Sequence, residues 1–266
     1  MEGFAMPRFS VHLSYLFKER PFLQRFDAAA ACGFKAIECR FPDDVPPAEF
    51  KQALERNKLR ALGINTPTGG EGEFGLGAIP GRQDDWNKAF AQALDYVSAV
   101  DASAIHCVLG RVEPAQRPEA EKVLVENLKR AADLAEARNV KLYLEPINPR
   151  SQPNYFLNTV EQAADIIGQV GSKNIWIQYD FYHVQIVGGD LITRIEKYLP
   201  MIGHIQCSQV PVRHEPDGDG EINYPFVFAE IDRLGYQGWI GCEYIPRART
   251  EDGLAWGREY GLGKPA

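Results

Sequence analysis

The 266-residue chain holds only five cysteines, and none of Cys32, Cys39, Cys107, Cys207 and Cys242 falls in a CxxC pair. An odd number of scattered thiols in a chain this long excludes a disulfide framework and a structural zinc site. It implies reduced thiols in a cytoplasmic protein. No apolar run approaches the roughly 18 residues of a membrane-spanning helix, and the Met1 to Ser10 segment lacks the apolar core of a secretory signal. Positive charge is also short: 29 Lys and Arg against 36 Asp and Glu leave a net charge of −7, with no basic run. A nucleic-acid-binding face needs clustered cations, so none is expected here, and no membrane partner either. What the chain does have is a 45% hydrophobic content with 14 Phe, 11 Tyr and 4 Trp, enough for a substantial core. No linker or shift of composition marks a boundary, so residues 1–266 are expected to form a single domain.

Short β-rich apolar runs recur along the chain, separated by amphipathic stretches. The runs are Phe9 to Leu13, Ala36 to Cys39, Leu59 to Ile64, Ala104 to Val108, Lys141 to Leu144, Ile175 to Tyr179, Ile202 to Gln206 and Trp239 to Cys242. They are too short for helices and mostly apolar on both faces, as strands buried under covering helices are. Helical patterns lie between them: Phe22 to Cys32, Glu49 to Asn57, Asp84 to Val100, Pro118 to Arg138, Thr159 to Val170, Leu191 to Tyr198, Pro225 to Leu234 and Leu254 to Tyr260. In the clearest, Ala120, Leu124, Leu128, Ala131 and Ala135 recur at helical steps while charged residues fill the opposite face. Eight strands alternating with eight helices predict an α/β fold, a closed (β/α)8 TIM barrel, with an open doubly wound sheet as the alternative.

In such a barrel the side chains at the C-terminal strand ends converge on one mouth. The residues at or just past each run are His12, Glu38, Asn65, His106, Glu145, Asp180, Gln206 and Glu243. The last four belong to consecutive strands and follow one another at spacings of 35, 26 and 37 residues, each about one βα unit. Three carboxylates and an amide aimed at one spot repel unless a cation sits among them or a proton is retained. Their oxygens suit a hard divalent ion, Mg²⁺ or Mn²⁺. Without a metal, the same crowding keeps one carboxyl protonated near neutrality, which supplies an acid directly. Taken one at a time, these acids also fit ordinary solvated loop positions. Their joint placement is what points to chemistry.

Several stretches carry a stronger signal: Glu145-Pro146-Ile147-Asn148, Tyr179-Asp180-Phe181-Tyr182-His183, Arg213-His214-Glu215-Pro216, Gly220 to Pro225, Gly235 to Tyr244, and Leu13 to Phe17. Over nearly its whole length the chain resembles hydroxypyruvate isomerases, members of the xylose-isomerase-like barrels that also include 2-oxo-tetronate isomerases and ketose 3-epimerases. The resemblance implies a divalent metal held by Glu145, Asp180, Gln206 and Glu243, with Glu145 and Glu243 as the proton-transfer pair. It also implies a small oxo-acid substrate. Arg213 is then expected to grip the substrate carboxylate with two hydrogen bonds, and its alternative is a loop arginine paired to Glu215 or Asp217. His183, His106 and Glu38 are expected to contact or orient substrate, although a lone histidine on an apolar strand is as often a satisfied core residue. The chain departs from the family pattern at His12, Asp43, Arg111 and Cys207-Ser208, which bears on substrate identity. Barrel endonucleases need more histidine ligands and a basic groove. A non-catalytic sugar-binding relative would lack one of the two glutamates.

Two local patterns are discounted. Gly70-x-Gly72-x-x-Gly75 satisfies the dinucleotide-loop spacing but does not open a helix directly after a strand. Six glycines between Gly69 and Gly81 instead suggest a flexible flap that closes over the mouth. Asp217, Asp219 and Glu221 imitate a calcium loop but have Ile222 where its glycine belongs. The aromatic tail around Trp256 and Tyr260 is expected to pack on the barrel or against another subunit, which leaves a homo-oligomer open.

Overall fold

A computed structural model describes residues 7–263, so most of the Met1 to Ser10 segment lies outside the described residues. Eight parallel strands close into a barrel in chain order, β1 (Arg8–His12), β2 (Ala36–Cys39), β3 (Arg60–Asn65), β4 (Ala104–His106), β5 (Lys141–Leu144), β6 (Ile175–Asp180), β7 (Ile202–Cys207) and β8 (Trp239–Cys242). The barrel shuts where Val11 of β1 pairs with Cys242 of β8. The helices are α1 (Phe22–Ala31), α2 (Pro47–Asn57), α3 (Gln83–Ala99), α4 (Arg117–Glu136), α5 (Val160–Val170), α6 (Phe181–Val187), α7 (Leu191–Tyr198) and α8 (Tyr224–Arg233).

Local chemistry sets these boundaries. Proline stands in the first turn of α2, α4 and α8, where a helix has no N–H to lose. The Thr159 side chain accepts from the Gln162 N–H to start α5, and Gly171 in the left-handed region ends it. The strand side chains that face outward, such as Val11, Ile37, Ile64, Ile105, Leu142, Leu144, Ile177 and Ile205, are buried beneath the helices. All five cysteines are free and buried.

One expectation changes in the structure, and for the tail one of the two alternatives is seen. The glycine-rich segment after β3 is only partly a free flap. The N–H groups of Leu76 and Ala78 donate to the carbonyls of Val108 and Leu109, and Asn127 Nδ2 donates to Gly77 O at 2.9 Å. At Gly75, φ is +98° and an added Cβ would lie 2.4 Å from the Val108 backbone, so glycine is required for docking rather than for motion. Gly69 to Gly72 stay exposed. The tail folds as a 3₁₀ segment, Thr250–Tyr260, against its own barrel: the Trp256 and Tyr260 rings lie 5.1 and 5.0 Å from Phe9. No helix among the described residues is long and apolar enough to cross a membrane.

Candidate active site

The C-terminal mouth narrows to a chamber of about 50 Å³, lined among others by Tyr15, Arg40, His106, Glu145, His183, Arg213 and Glu243. That is room for a molecule of a few heavy atoms, far below the several hundred Å³ of drug-sized pockets. A roomier hollow of about 490 Å³ lies on the outer wall between Phe41–Pro47 and α3, away from every strand-end acid.

Each acid is aimed by its strand. Glu145 follows β5 directly and Glu243 follows β8, and both are buried and face the chamber. Asp180 ends β6 and also begins α6, its Oδ1 accepting from the Tyr182 N–H at 2.8 Å. The next helical turn brings His183 Nε2 to 3.5 Å from Asp180 Oδ2 and 3.7 Å from Glu145 Oε1. His106 Nε2 approaches Glu145 Oε2 from β4 at 3.5 Å. Among the described residues Glu145, Asp180 and His183 form a group whose ligand atoms all lie within 4.8 Å of one another.

The protonation pattern follows from burial. Burial raises the Glu145 carboxyl well above its ordinary range, and Glu243 and Asp180 add repulsion. Burial likewise pushes Asp180 up to about 7, although Arg213 opposes it. His183 is held neutral by burial and by Arg213, and His106 is pushed down to about 3 chiefly by burial. The His183 tautomer is fixed by geometry: its Nδ1 accepts from Asn148 N at 3.3 Å and Nδ2 at 2.6 Å. With that tautomer Nε2 carries the hydrogen and points it at the carboxylates.

Arg213 occupies the centre of this charge. Its Nη2 lies 3.2 Å from Asp180 Oδ2 and 3.1 Å from Glu243 Oε1, while Tyr15 and Tyr182 each cover the guanidinium at 4.9 Å. Its backbone is in the left-handed region at φ 59°, a conformation that must be held by its surroundings. The Arg213 N–H donates to Gln209 O at 2.8 Å, and Ile245 N donates to Arg213 O at 2.7 Å. Burial works against the guanidinium charge, but Glu243, Tyr15 and Asp180 outweigh it. Glu215 and Asp217, its alternative partners, pair with Arg247 instead.

Asp180, Glu38 and Gln206 are not among the residues lining the chamber; Gln206 stands beside Asp180 in the β6–β7 pairing and is engaged with Glu38. Glu38 lies one layer deeper, where its carboxylate accepts from Gln206 Nε2 at 2.9 Å and Ser10 Oγ at 3.2 Å and meets His204 Nε2 at 3.0 Å. The reason is space: a Cβ on Gly241 would fall 1.9 Å from Glu38 Oε1, so the glycine opens the barrel axis to this side chain. The Gln206 amide is turned the same way, its Oε1 accepting from Gln178 Nε2 at 2.9 Å. Sequence reasoning missed the aromatic clamp of Tyr15 and Tyr182 and the presence of Arg40 in the chamber. Arg40 lies just past β2, a position that strand-end reading places one residue too far along.

A closed β/α barrel whose mouth buries carboxyls, a guanidinium and neutral histidines in one small chamber has the form of a barrel enzyme's active site. The sequence matches the model of the family described as Xylose isomerase-like TIM barrel over residues 26–260, and the chain belongs to that family. It is 44% identical to a 2-oxo-tetronate isomerase of Cupriavidus necator, covering 96% of this chain and 99% of the relative. It is 41% identical to a hydroxypyruvate isomerase of Escherichia coli, over 94% of this chain and 98% of that one. A crystal structure described as AP endonuclease, family 2, from Brucella melitensis superposes with a TM-score of 0.94 at 40% identity, covering 96% of this chain and 99% of the other. Relatives of both names being isomerases, the chain is an enzyme of the isomerase type.

Proposed function

We propose that the enzyme interconverts hydroxypyruvate and tartronate semialdehyde, with Glu145 and Glu243 as the acid/base pair. The observation that carries this reading is that both glutamates open into one small chamber beside a single buried arginine. One carboxylate removes a proton from the hydroxymethyl carbon, the hydroxyl proton passes to the neighbouring oxygen, and the enediolate is reprotonated at the adjacent carbon. A positioned acid/base contributes roughly 10²–10⁴-fold to such a step. The His183 Nε2–H and the Arg213 guanidinium lie among these carboxyls as donors to the oxygens that gain charge.

The donors also fit a hard divalent cation. Glu145 Oε1 and Glu243 Oε2 are buried without a hydrogen-bond partner, and Asp180 stands next to them. Glu145, Asp180 and Glu243, joined by the Gln206 amide if it turns from Gln178, would hold Mg²⁺ or Mn²⁺, and the ion would lend Lewis-acid stabilisation to the enediolate. Exhaustive chelation with metal content measured alongside separates this version from one in which Glu145, kept protonated by its surroundings, is the acid unaided.

The 44% identity to a 2-oxo-tetronate isomerase favours a four-carbon acid as the second reading. Proton NMR in D₂O with each acid tests both: turnover appears as aldehyde signals from hydroxypyruvate and as signals of the 3-oxo acid from the four-carbon acid, in each case with loss of carbon-bound protium. Absence of exchange with either acid refutes the proposal. The endonuclease reading has less support, since a net charge of −7 and five histidines offer neither a phosphate-binding groove nor a multinuclear zinc site.

A further inference from the structure

Two cations reach the chamber, and they are engaged differently. Arg213 is buried and committed: Nη2 bridges Asp180 and Glu243, and Nε donates to the Glu243 carbonyl at 3.3 Å. A ligand carboxylate arriving there would also face Glu145, Asp180 and Glu243, three carboxyl groups around one guanidinium. Arg40 is not committed. Among the described residues no acidic side chain pairs with it, and its Nη2 donates only to Tyr15 Oη at 3.0 Å. Its guanidinium lies over the Tyr15 ring at 5.2 Å and its backbone N–H donates to Ser14 Oγ at 3.0 Å, so Tyr15 positions the head group while the rest of its fork stays free. Tyr15 thus separates the two arginines and contacts both. In the closed strand order β2 stands across the barrel from β6, so Arg40 is placed on the ring opposite Asp180. Negative charge anchored there is kept away from the acid cluster.

We infer that Arg40, rather than Arg213, binds the carboxylate of the substrate and selects acids over neutral ketoses. Arg213 then offsets repulsion between Asp180 and Glu243 and holds Glu243 in place. The inference rests on the oxo-acid reading above.

The test compares Arg40→Met and Arg40→Lys with the parent enzyme. One assay follows isomerisation of hydroxypyruvate and of dihydroxyacetone, a neutral three-carbon ketose. The other measures calorimetric binding of glycerate, a three-carbon acid with no carbonyl to isomerise. A bidentate, charge-assisted contact is worth about 10- to 100-fold, so Arg40→Met is expected to raise KM for hydroxypyruvate and Kd for glycerate by that factor. kcat should change far less, the preference for hydroxypyruvate over dihydroxyacetone should fall in parallel, and Arg40→Lys should recover part of the loss. Arg40 is exposed, so the fold is expected to survive, and circular dichroism checks it. Unchanged glycerate affinity and hydroxypyruvate KM in Arg40→Met overturn the assignment, and so does a parent enzyme that fails to bind glycerate. Binding of glycerate through Arg40 without isomerisation of hydroxypyruvate supports the anchor and instead refutes the proposed activity.

Discussion

Two buried polar layers lie one above the other in the barrel, and they follow opposite rules. In the lower one, Ser10, Glu38, Gln178, His204 and Gln206 form a connected set, and no side-chain atom of these residues is buried without a partner. Burial alone would raise the Glu38 carboxyl, but His204, His12 and the Gln206 amide overcome it and hold Glu38 below its ordinary value. In the upper layer, His106 Nε2, Glu145 Oε1 and Glu243 Oε2 are all left unpaired, and burial with crowding raises Glu145 and Asp180. Satisfied polar groups specify the fold, while unsatisfied ones keep free energy available for a ligand. The same residue type, glutamate at a strand end, is thus hydrogen-bonded to its neighbours at 38 and faces the small chamber at 145 and 243.

Substitutions should separate the layers cleanly. Glu145→Gln or Glu243→Gln is expected to lower turnover by about 10²–10⁴-fold while Tm holds or rises, because repulsion is relieved. Near-normal turnover in both variants, measured by the D₂O exchange assay, would place the chemistry elsewhere. Glu38→Ala should do the reverse. It strands His204 and the Gln206 amide, costs about 3–5 kcal/mol as a broken buried pair, and lowers Tm by roughly 10 °C. Turnover per folded molecule should suffer less than in the chamber variants, as read by calorimetry and activity on the same sample.

A smaller effect concerns pH. In chelator-treated protein Asp180 keeps its proton up to about pH 7, against an ordinary value of 3.8. Between those values the folded state binds more protons than the unfolded state, so this group makes stability fall as pH rises from about 4 to 7 and then level off. Glu38, held low, contributes the opposite sign: stability present above the ordinary carboxylate range and lost as pH drops through its folded value. Urea unfolding across this range should show a slope that Asp180→Asn flattens, and a profile identical to that of the parent would mean the upper layer is not strained. Least of all, Gly241→Ala should cost about 1–3 kcal/mol by crowding Glu38 and His204. Gly63→Ala, whose added Cβ meets nothing within 4 Å, is the matched control in the same denaturation series.

Much of the scaffold was readable beforehand. β2, β5, β8 and α7 fall on the expected residues because sharp turns bracket their apolar runs. β4 is shorter than its pattern, since past His106 the Val108 N–H turns to Thr66 Oγ1 and the chain leaves the sheet to dock the glycine segment. α6 is not legible in the sequence: seven residues containing Phe, Tyr and His give too little periodicity to read. At the mouth, convergence of Glu145, Asp180 and Glu243 follows from strand order alone. The depth of Glu38 does not, because it depends on an absent methyl group contributed by a strand about 200 residues away. Nor does the Arg213 bridge, which a loop of unpredictable path delivers.

Asp180 is at once the last residue of a strand and the cap of a helix, with no connecting residue between the two. A single inserted amino acid there would turn His183 by about 100° around the helix axis and break its alignment with Asn148. That corner is therefore closed to evolutionary tinkering. The connections after β1, β2 and β3, which carry Tyr15, Arg40 and Phe74 to the chamber, are longer and have no such strand-to-helix junction.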